Sequence, residues 1–368
     1  MWVERCLVCG RVFSHKDSTM PEDTPEGDST VKTLDLFCGG GGLSTGFEQA
    51  GYDIVAGIDV NQDFLDTFEH NHDDSLAIQA DLAEVDPAEF YDEHDIDTDE
   101  IDVVIGGPPC KGFSIAGKRD PEDERNSLVG SFIDHVGYVK PKVFVMENVP
   151  GIKSMEDGEV MRKIRQRYDE IGYSVKHDTL NAADYGVPQA RRRVVFIGRA
   201  DGEVPTFPER THRPSKQSTL SGATLEPHAT VREALVEKDF TGLPNHDKTN
   251  HSEEMMERIS EVEPGESLYE SFGDSWRRLE MDKPSLTVKE NHNAPFIHPV
   301  EDRVGTVREC AVLQTFPDDY EFQGPKSKQL KVVGNAVPVE LGRVIAEAIR
   351  ADIDAMTDST TATPTRQA

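Results

Sequence analysis

No apolar run in this 368-residue chain approaches the ~20 residues a membrane-spanning helix requires, which excludes a helical integral membrane protein. The opening stretch, Met1 to Lys16, lacks the apolar core and small-residue cleavage site of a secretory signal, so a cytoplasmic protein without a membrane partner is expected. Cysteine is scarce and odd in number. Cys6, Cys9, Cys38, Cys110 and Cys310 are scattered, which argues for a reducing compartment and against a disulfide scaffold. Cys6-Leu-Val-Cys9 with His15 is half of a zinc spacing, but a closed site takes four ligands and no second Cys-x-x-Cys occurs, so no metal is expected. Basic residues are also short, 39 against 69 acidic ones, for a net charge of −30 spread along the chain. That sign opposes unaided attraction to nucleic acid, so any such partner has to be held by a specific site and local basic clusters. The acidity fits plain solubility by self-repulsion, or, as the preferred reading, adaptation to a salt-rich cytoplasm where screening removes the repulsion.

What remains is a lean apolar stock, 36 % of residues, sufficient for a core, and a length that permits about two domains. Residues 1–30 are a polar extension punctuated by Pro21, Pro25 and Gly27. From residue 31 short β-branched runs alternate with stretches of helical spacing, the pattern of an α/β fold with a mostly parallel sheet. Strands are expected at Lys32 to Phe37, Ile54 to Ile58, Leu76 to Gln79, Val103 to Ile105, Val143 to Met146, Ser174 to Thr179 and Val194 to Ile197. Regularity fades over residues 199–281, a smaller and more variable unit. It returns over 282–352 with an amphipathic helix through Leu341, Ile345 and Ile349, and a polar tail, 353–368, follows.

Ligands of open parallel sheets bind beyond the carboxyl ends of the strands, so the residues just after each strand carry the information. The first strand runs into Phe37-Cys38-Gly39-Gly40-Gly41-Gly42, a glycine turn opening a helix. No register of this turn gives G-x-G-x-x-G, which counts against a dinucleotide. The second and third strands end at Asp59 and Asp81, suited to ribose hydroxyls and an adenine amino group; together these features suggest a nucleoside without a pyrophosphate, S-adenosylmethionine rather than NAD. The fourth strand enters Gly106-Gly107-Pro108-Pro109-Cys110, and the fifth delivers Glu147-Asn148-Val149-Pro150 to the same edge. A cysteine and a carboxyl beside a nucleoside site suggest chemistry, and Lys111, Lys118 and Arg119 nearby favour a thiolate at Cys110.

Six segments, in order, then carry a resemblance. Asp35-Leu-Phe-Cys-Gly-Gly-Gly-Gly-Leu-Ser, Gly107-Pro-Pro-Cys110, Glu147-Asn-Val-Pro-Gly151, Gln189-Ala-Arg191-Arg-Arg193, Arg308-Glu309 through Phe316-Pro317, and Gly334-Asn335-Ala336-Val337-Pro338 resemble the cytosine-C5 DNA methyltransferases. The resemblance implies a doubly wound, Rossmann-like sheet of seven strands for 31–198 and 282–352, the catalytic and cofactor-binding part. It makes 199–281 the target-recognition region, where Arg210, Arg213, Lys216, Arg277 and Arg278 are the available base-reading cations, and it implies a monomer acting on double-stranded DNA, with a restriction endonuclease as a functional partner.

Carbon 5 of cytosine is a poor nucleophile, so methylating it calls for a thiolate added first at carbon 6, and Cys110 is assigned that role. Glu147 would donate a proton or hydrogen bond to ring N3, while Arg191 and Arg193 would steady the cytosine O2 and the Cys110 loop. The family's cofactor motifs carry over to Phe37 against the adenine, Gly39, Gly40 and Gly42 at the methionine end, Asp59 at the ribose and Asp81 at the adenine amino group. Pro109, Asn335 and Val337 would close the pocket, and the C-terminal helix would pack on the first one. Such chemistry requires the base to leave the helical stack. The family's usual Gln after Pro-Cys is Lys111 here. A tRNA-methylating relative would carry a Cys-Phe-Thr element after the recognition region, which is missing, and a non-catalytic relative would be expected to lose one of Cys110, Glu147, Arg191 or Arg193.

Overall fold

Seven runs of alternating apolar residues pair into one sheet buried on both faces. The computed structural model describes residues 30–109, 128–214, 225–269, 276–290 and 296–361, so Cys6, Cys9, His15, Cys110, Lys111 and Lys216 lie outside the described residues. In chain order the elements that build the catalytic part are β1 (Val31–Leu36), α1 (Gly42–Gln49), β2 (Tyr52–Asp59), α2 (Gln62–Asn71), β3 (Leu76–Gln79), α3 (Pro87–Glu93) and β4 (Val103–Gly106). They continue with α4 (Leu128–Val139), β5 (Val143–Asn148), α5 (Glu159–Glu170), β6 (Ser174–Asn181), β7 (Gln189–Ala190) and β8 (Arg192–Arg199). The sheet order is β3-β2-β1-β4-β5-β8-β6, parallel except for β8, which runs antiparallel to both neighbours. All seven strands expected from the sequence are present. The boundary of β1 differs: it closes at Leu36, because Phe37 turns into the left-handed region at φ 63° and leaves the ladder.

Strand alternation sorts the core into two layers. Val103, Ile105, Val143 and Val145 face α1 and the C-terminal helix, whereas Val104, Phe144 and Met146 face α3, α4 and α5. A Cβ on Gly46 of α1 would lie 2.4 Å from the Val339 carbonyl oxygen, so the backbones of α1 and the C-terminal helix are in direct contact, as expected. That close approach needs glycine.

Beyond β8 regular structure is sparse among the described residues: a short pair β9 (His212–Arg213) and β10 (Glu226–Pro227), a helical turn at Arg232–Val236, α6 (Glu253–Ser260) and β11 (Arg277–Arg278). The return segment brings β12 (Ser285–Leu286) beside β7, β13 (Phe296–Ile297) beside β11, then α7 (Val307–Leu313), α8 (Lys326–Asn335) and α9 (Val339–Thr361). Thr306 and Glu309 start α7 with a reciprocal capping box. Val231, Leu235 and Leu279 share a core with α7 and α8, while Ile259, Val262 and Ile297 form a smaller one.

Candidate active site

The strands β2 and β3 continue the sheet on one side of β1, and β4 and β5 continue it on the other. A crevice opens where the order reverses, at the carboxyl ends of β1 and β4. It is a cavity of about 650 Å³. Phe37, Gly39, Gly40, Gly42, Asp59 and Asp81 line one end. Pro109, Glu147, Arg191 and Arg193 line the other, with Asn335 and Val337 also on the wall. Every site residue expected from the sequence therefore borders a single space, save Cys110, which is not among those described.

The glycine turn shapes the first end. Gly39 has φ 57°, and a Cβ there would point into open space, a cradle for a ligand approaching the backbone. A Cβ on Gly42 would sit 2.6 Å from the Val337 carbonyl oxygen, which ties the turn to the segment before α9. Tyr320 braces the turn from behind, its hydroxyl donating to the Gly40 carbonyl. Asp59 accepts the Gly39 and Asn61 backbone N–H groups at 3.0 and 2.8 Å, and burial raises its carboxyl above the ordinary value. Asp81 accepts the Ala83 N–H at 3.0 Å. Asp35, on β1 itself, is buried with Oδ1 lacking a hydrogen-bond partner. Two strand-end carboxylates, an orphaned buried carboxyl and an open glycine cradle, with no phosphate-binding G-x-G-x-x-G, fit a nucleoside cofactor with a cationic end. Cys38 is no rival nucleophile, since burial pushes its thiol well above the ordinary value.

At the second end Glu147 stands beside Gly107, whose Cβ would lie 3.4 Å from Glu147 Oε2. Arg193 Nε is 2.6 Å from Glu147 Oε1, an ion pair off the angle of a hydrogen bond. Asn148 donates from Nδ2 to the Pro108 carbonyl at 3.0 Å and accepts the Val149 N–H at 2.8 Å, so β5 holds the entry to Cys110. Arg191 behaves differently. It is buried, and its guanidinium donates to the carbonyls of Val288, Gly334 and Asn335 at 2.9 to 3.4 Å. Burial, with Arg193 close by, pulls it below the ordinary value, yet three carbonyl acceptors hold the charged form. Gln189 and Gln314 continue this bolt, Nε2 of Gln189 meeting Gln314 Oε1 at 2.9 Å.

Two expectations about cations change. Arg278 is no base reader, because its buried guanidinium is spent on the carbonyls of Ile259, Val262 and His298 and on Asp302. Arg210 leans on Asp184 at 3.4 Å, and Arg213 donates to the Leu225 carbonyl at 3.2 Å. Sequence reading also passed over cavity residues. Asn148 could have been found from its place at a strand end, but Thr287, Lys289 and Glu290 lie in an irregular stretch with no periodic signal.

A doubly wound sheet with a nucleoside-shaped cavity at its switch point, and a carboxyl–guanidinium pair across from the glycine turn, defines a group transferase using a nucleoside cofactor. The sequence profile of C-5 cytosine-specific DNA methylases matches residues 31–351. The type II methyltransferase M1.HphI of Haemophilus parahaemolyticus is 40% identical over 329 residues, 86% of each chain. M.AgeI of Thalassovita gelatinovora is 31% identical, covering 88% of this chain and all of its own. A structure described as a DNA modification methyltransferase of an E. coli prophage superposes with a TM-score of 0.69 at 25% identity, covering 88% of this chain and 100% of that one. Spodoptera frugiperda DNMT2, at 19% identity and a TM-score of 0.60 over 87% of this chain and 99% of its own, shares the fold. This chain belongs to the C-5 cytosine-specific DNA methylase family and is an S-adenosylmethionine-dependent enzyme of that class.

Proposed function

We propose that the chain methylates carbon 5 of a cytosine swung out of duplex DNA, through a covalent adduct of Cys110 at carbon 6. The observation that supports this most is the joining of Glu147, Arg193 and the Pro108-Pro109 entry to Cys110 at one end of a cavity whose other end is the glycine turn. S-adenosylmethionine, when bound, supplies an electrophilic methyl group on a sulfonium sulfur. Phe37, Gly39, Gly40, Gly42, Asp59, Asp81, Pro109, Asn335 and Val337 would hold it, with the carboxylates on ribose and adenine.

The Cys110 thiolate adds to carbon 6 while Glu147 gives a proton or hydrogen bond to N3, so the ring's electron pair moves to carbon 5. Arg193 fixes the Glu147 carboxyl and reaches the base. Arg191 acts at one remove, locking β7, β12 and the start of the α8–α9 connection so that both ends of the cavity keep their spacing. After methylation the carbon 5 proton departs to a base, and expulsion of Cys110 restores the ring. A duplex buries both faces of the base, so the base must be flipped for the thiolate to reach it. The type II relatives support a partnership with a restriction endonuclease.

Incubating the protein and Cys110→Ala with S-adenosylmethionine and unmethylated DNA across a range of potassium chloride, then counting 5-methyl-deoxycytidine in the digest, tests this. Product from the native chain alone is expected, and its salt optimum reports on the acidic surface. Cofactor binding with no DNA product at any salt, or product on transfer RNA only, would overturn it.

A further inference from the structure

The methionine end of the cavity gathers acids without a cation. Asp35, one residue before the end of β1, is 1 % exposed and borders the cavity. Its Oδ2 accepts the Ser44 hydroxyl at 2.6 Å, and Oδ1, also buried, has no hydrogen-bond partner. The groups facing it are Ser44 and Glu48 from α1, Asp59 from β2, the Cys38 thiol on the turn, and the Tyr320 phenol from the loop after α7. His72 of α2 meets this group only through Glu48, at 2.8 Å, and Tyr320, at 3.3 Å. Among the described residues no lysine or arginine pairs with Asp35. A carboxylate so placed is short of one positive charge and one hydrogen-bond donor, and the only space from which either can come is the cavity. Burial accordingly favours its neutral form in the free protein and lifts the carboxyl to about 7.

We infer that Asp35 is the counter-ion of the cofactor's positively charged methionine end and that it releases a proton to solvent when that charge arrives. The inference rests on the cofactor reading above. A neutral carboxyl and a cation become a carboxylate–cation pair plus one free proton, so charge and atoms balance. Methyl transfer converts the sulfonium into a neutral thioether, which weakens the pairing, and Asp35 regains its proton as the product leaves. The same carboxyl thus separates charged cofactor from spent product, a distinction that the adenine and ribose contacts cannot make because both molecules share them.

The test is titration calorimetry on the full chain at about pH 6, in two buffers of different ionisation enthalpy, which counts protons released on binding. Three probes are used: S-adenosylmethionine, S-adenosylhomocysteine, which keeps only the ammonium, and methylthioadenosine, which has neither charge. Up to about one proton should leave with the first, fewer with the second and none with the third, and affinity for the first should rise up to about tenfold per pH unit until about pH 7. Asp35→Asn should release none and lose most of its preference for cofactor over product. Ser44→Ala removes the donor that favours the carboxylate, so its release should extend to higher pH; it serves if Asp35→Asn does not fold. Native protein that binds S-adenosylmethionine without releasing a proton, or Asp35→Asn that releases the same number, would overturn the proposal. Failure of the native chain to bind any of the three would instead refute the cofactor reading and the proposal with it.

Discussion

The two ends of the cavity are built from opposite charges. Toward the glycine turn stand Asp35, Asp59 and Asp81, whereas the cations lining the cavity, Arg191, Arg193 and Lys289, come from β7–β8 and the return segment and stand near Glu147 and Glu290. The acidic end suits a cation and the basic end suits a polyanion, so one crevice can take a positively charged cofactor and a nucleic acid without mixing their sites. A net charge of −30 says nothing of this local arrangement. The polarity is achieved by strand order, because β1 to β3 carry the acids on one side of the switch point while β8 inserts its arginines beside β5 on the other.

Removing one end altogether gives the largest effect. Truncation after residue 330 deletes Asn335, Val337 and the helix packed on α1, so cofactor binding measured by calorimetry should vanish. Glu147→Gln touches only the other end: turnover should fall about 10² to 10⁴-fold, with the cofactor dissociation constant unchanged. A parallel loss of cofactor affinity would break the division between the two ends.

The acidic end should declare itself in stability. The native-state carboxyl of Asp35 is raised to about 7 from an ordinary 3.8, so its favourable contribution is complete below the ordinary value and is lost as pH rises toward 7. In the free protein this carboxyl should cost up to about 4 kcal/mol at pH 8 relative to pH 4, and Asp35→Asn should remove that slope in denaturant titrations at the two pH values. An unchanged slope would mean that the carboxyl is solvated.

The smallest contrast sharpens the basic end. Arg191→Ala strands three buried carbonyls and should cost about 3 kcal/mol of stability. Arg193→Ala should cost about 1 kcal/mol or less, yet slow turnover by roughly ten- to a hundredfold, because it loosens Glu147. Denaturation midpoints set beside turnover numbers separate the two roles, and equal stability losses would erase the distinction.

Much of this was legible in the residues. β-branched runs ending in glycine, proline or acid announce strands, and the strand-end rule then points to Asp59, Asp81, Pro109 and Glu147, all of which border the cavity. Phe37 escaped the same logic at the boundary, since an aromatic residue reads as strand until the glycines after it force the chain through a left-handed turn. Arg278 misled for a related reason: an arginine in a polar, irregular stretch has the composition of a surface cation, and only the fold reveals the carbonyls that it caps.

By itself the sequence determined the strand count, the parallel architecture, the family and the residues collected at the crevice, because alternation and turn chemistry are local and strand ends are where ligands bind. The tertiary structure alone decided which charges are paired and which are isolated. Arg191 became a bolt through carbonyls 97 to 144 residues away, Tyr320 reached back 280 residues to the glycine turn, and Asp35 was left in the interior without a cation. Desolvation and ion pairing depend on whichever groups the fold brings together, whatever their separation along the chain, so local patterns could not have shown them.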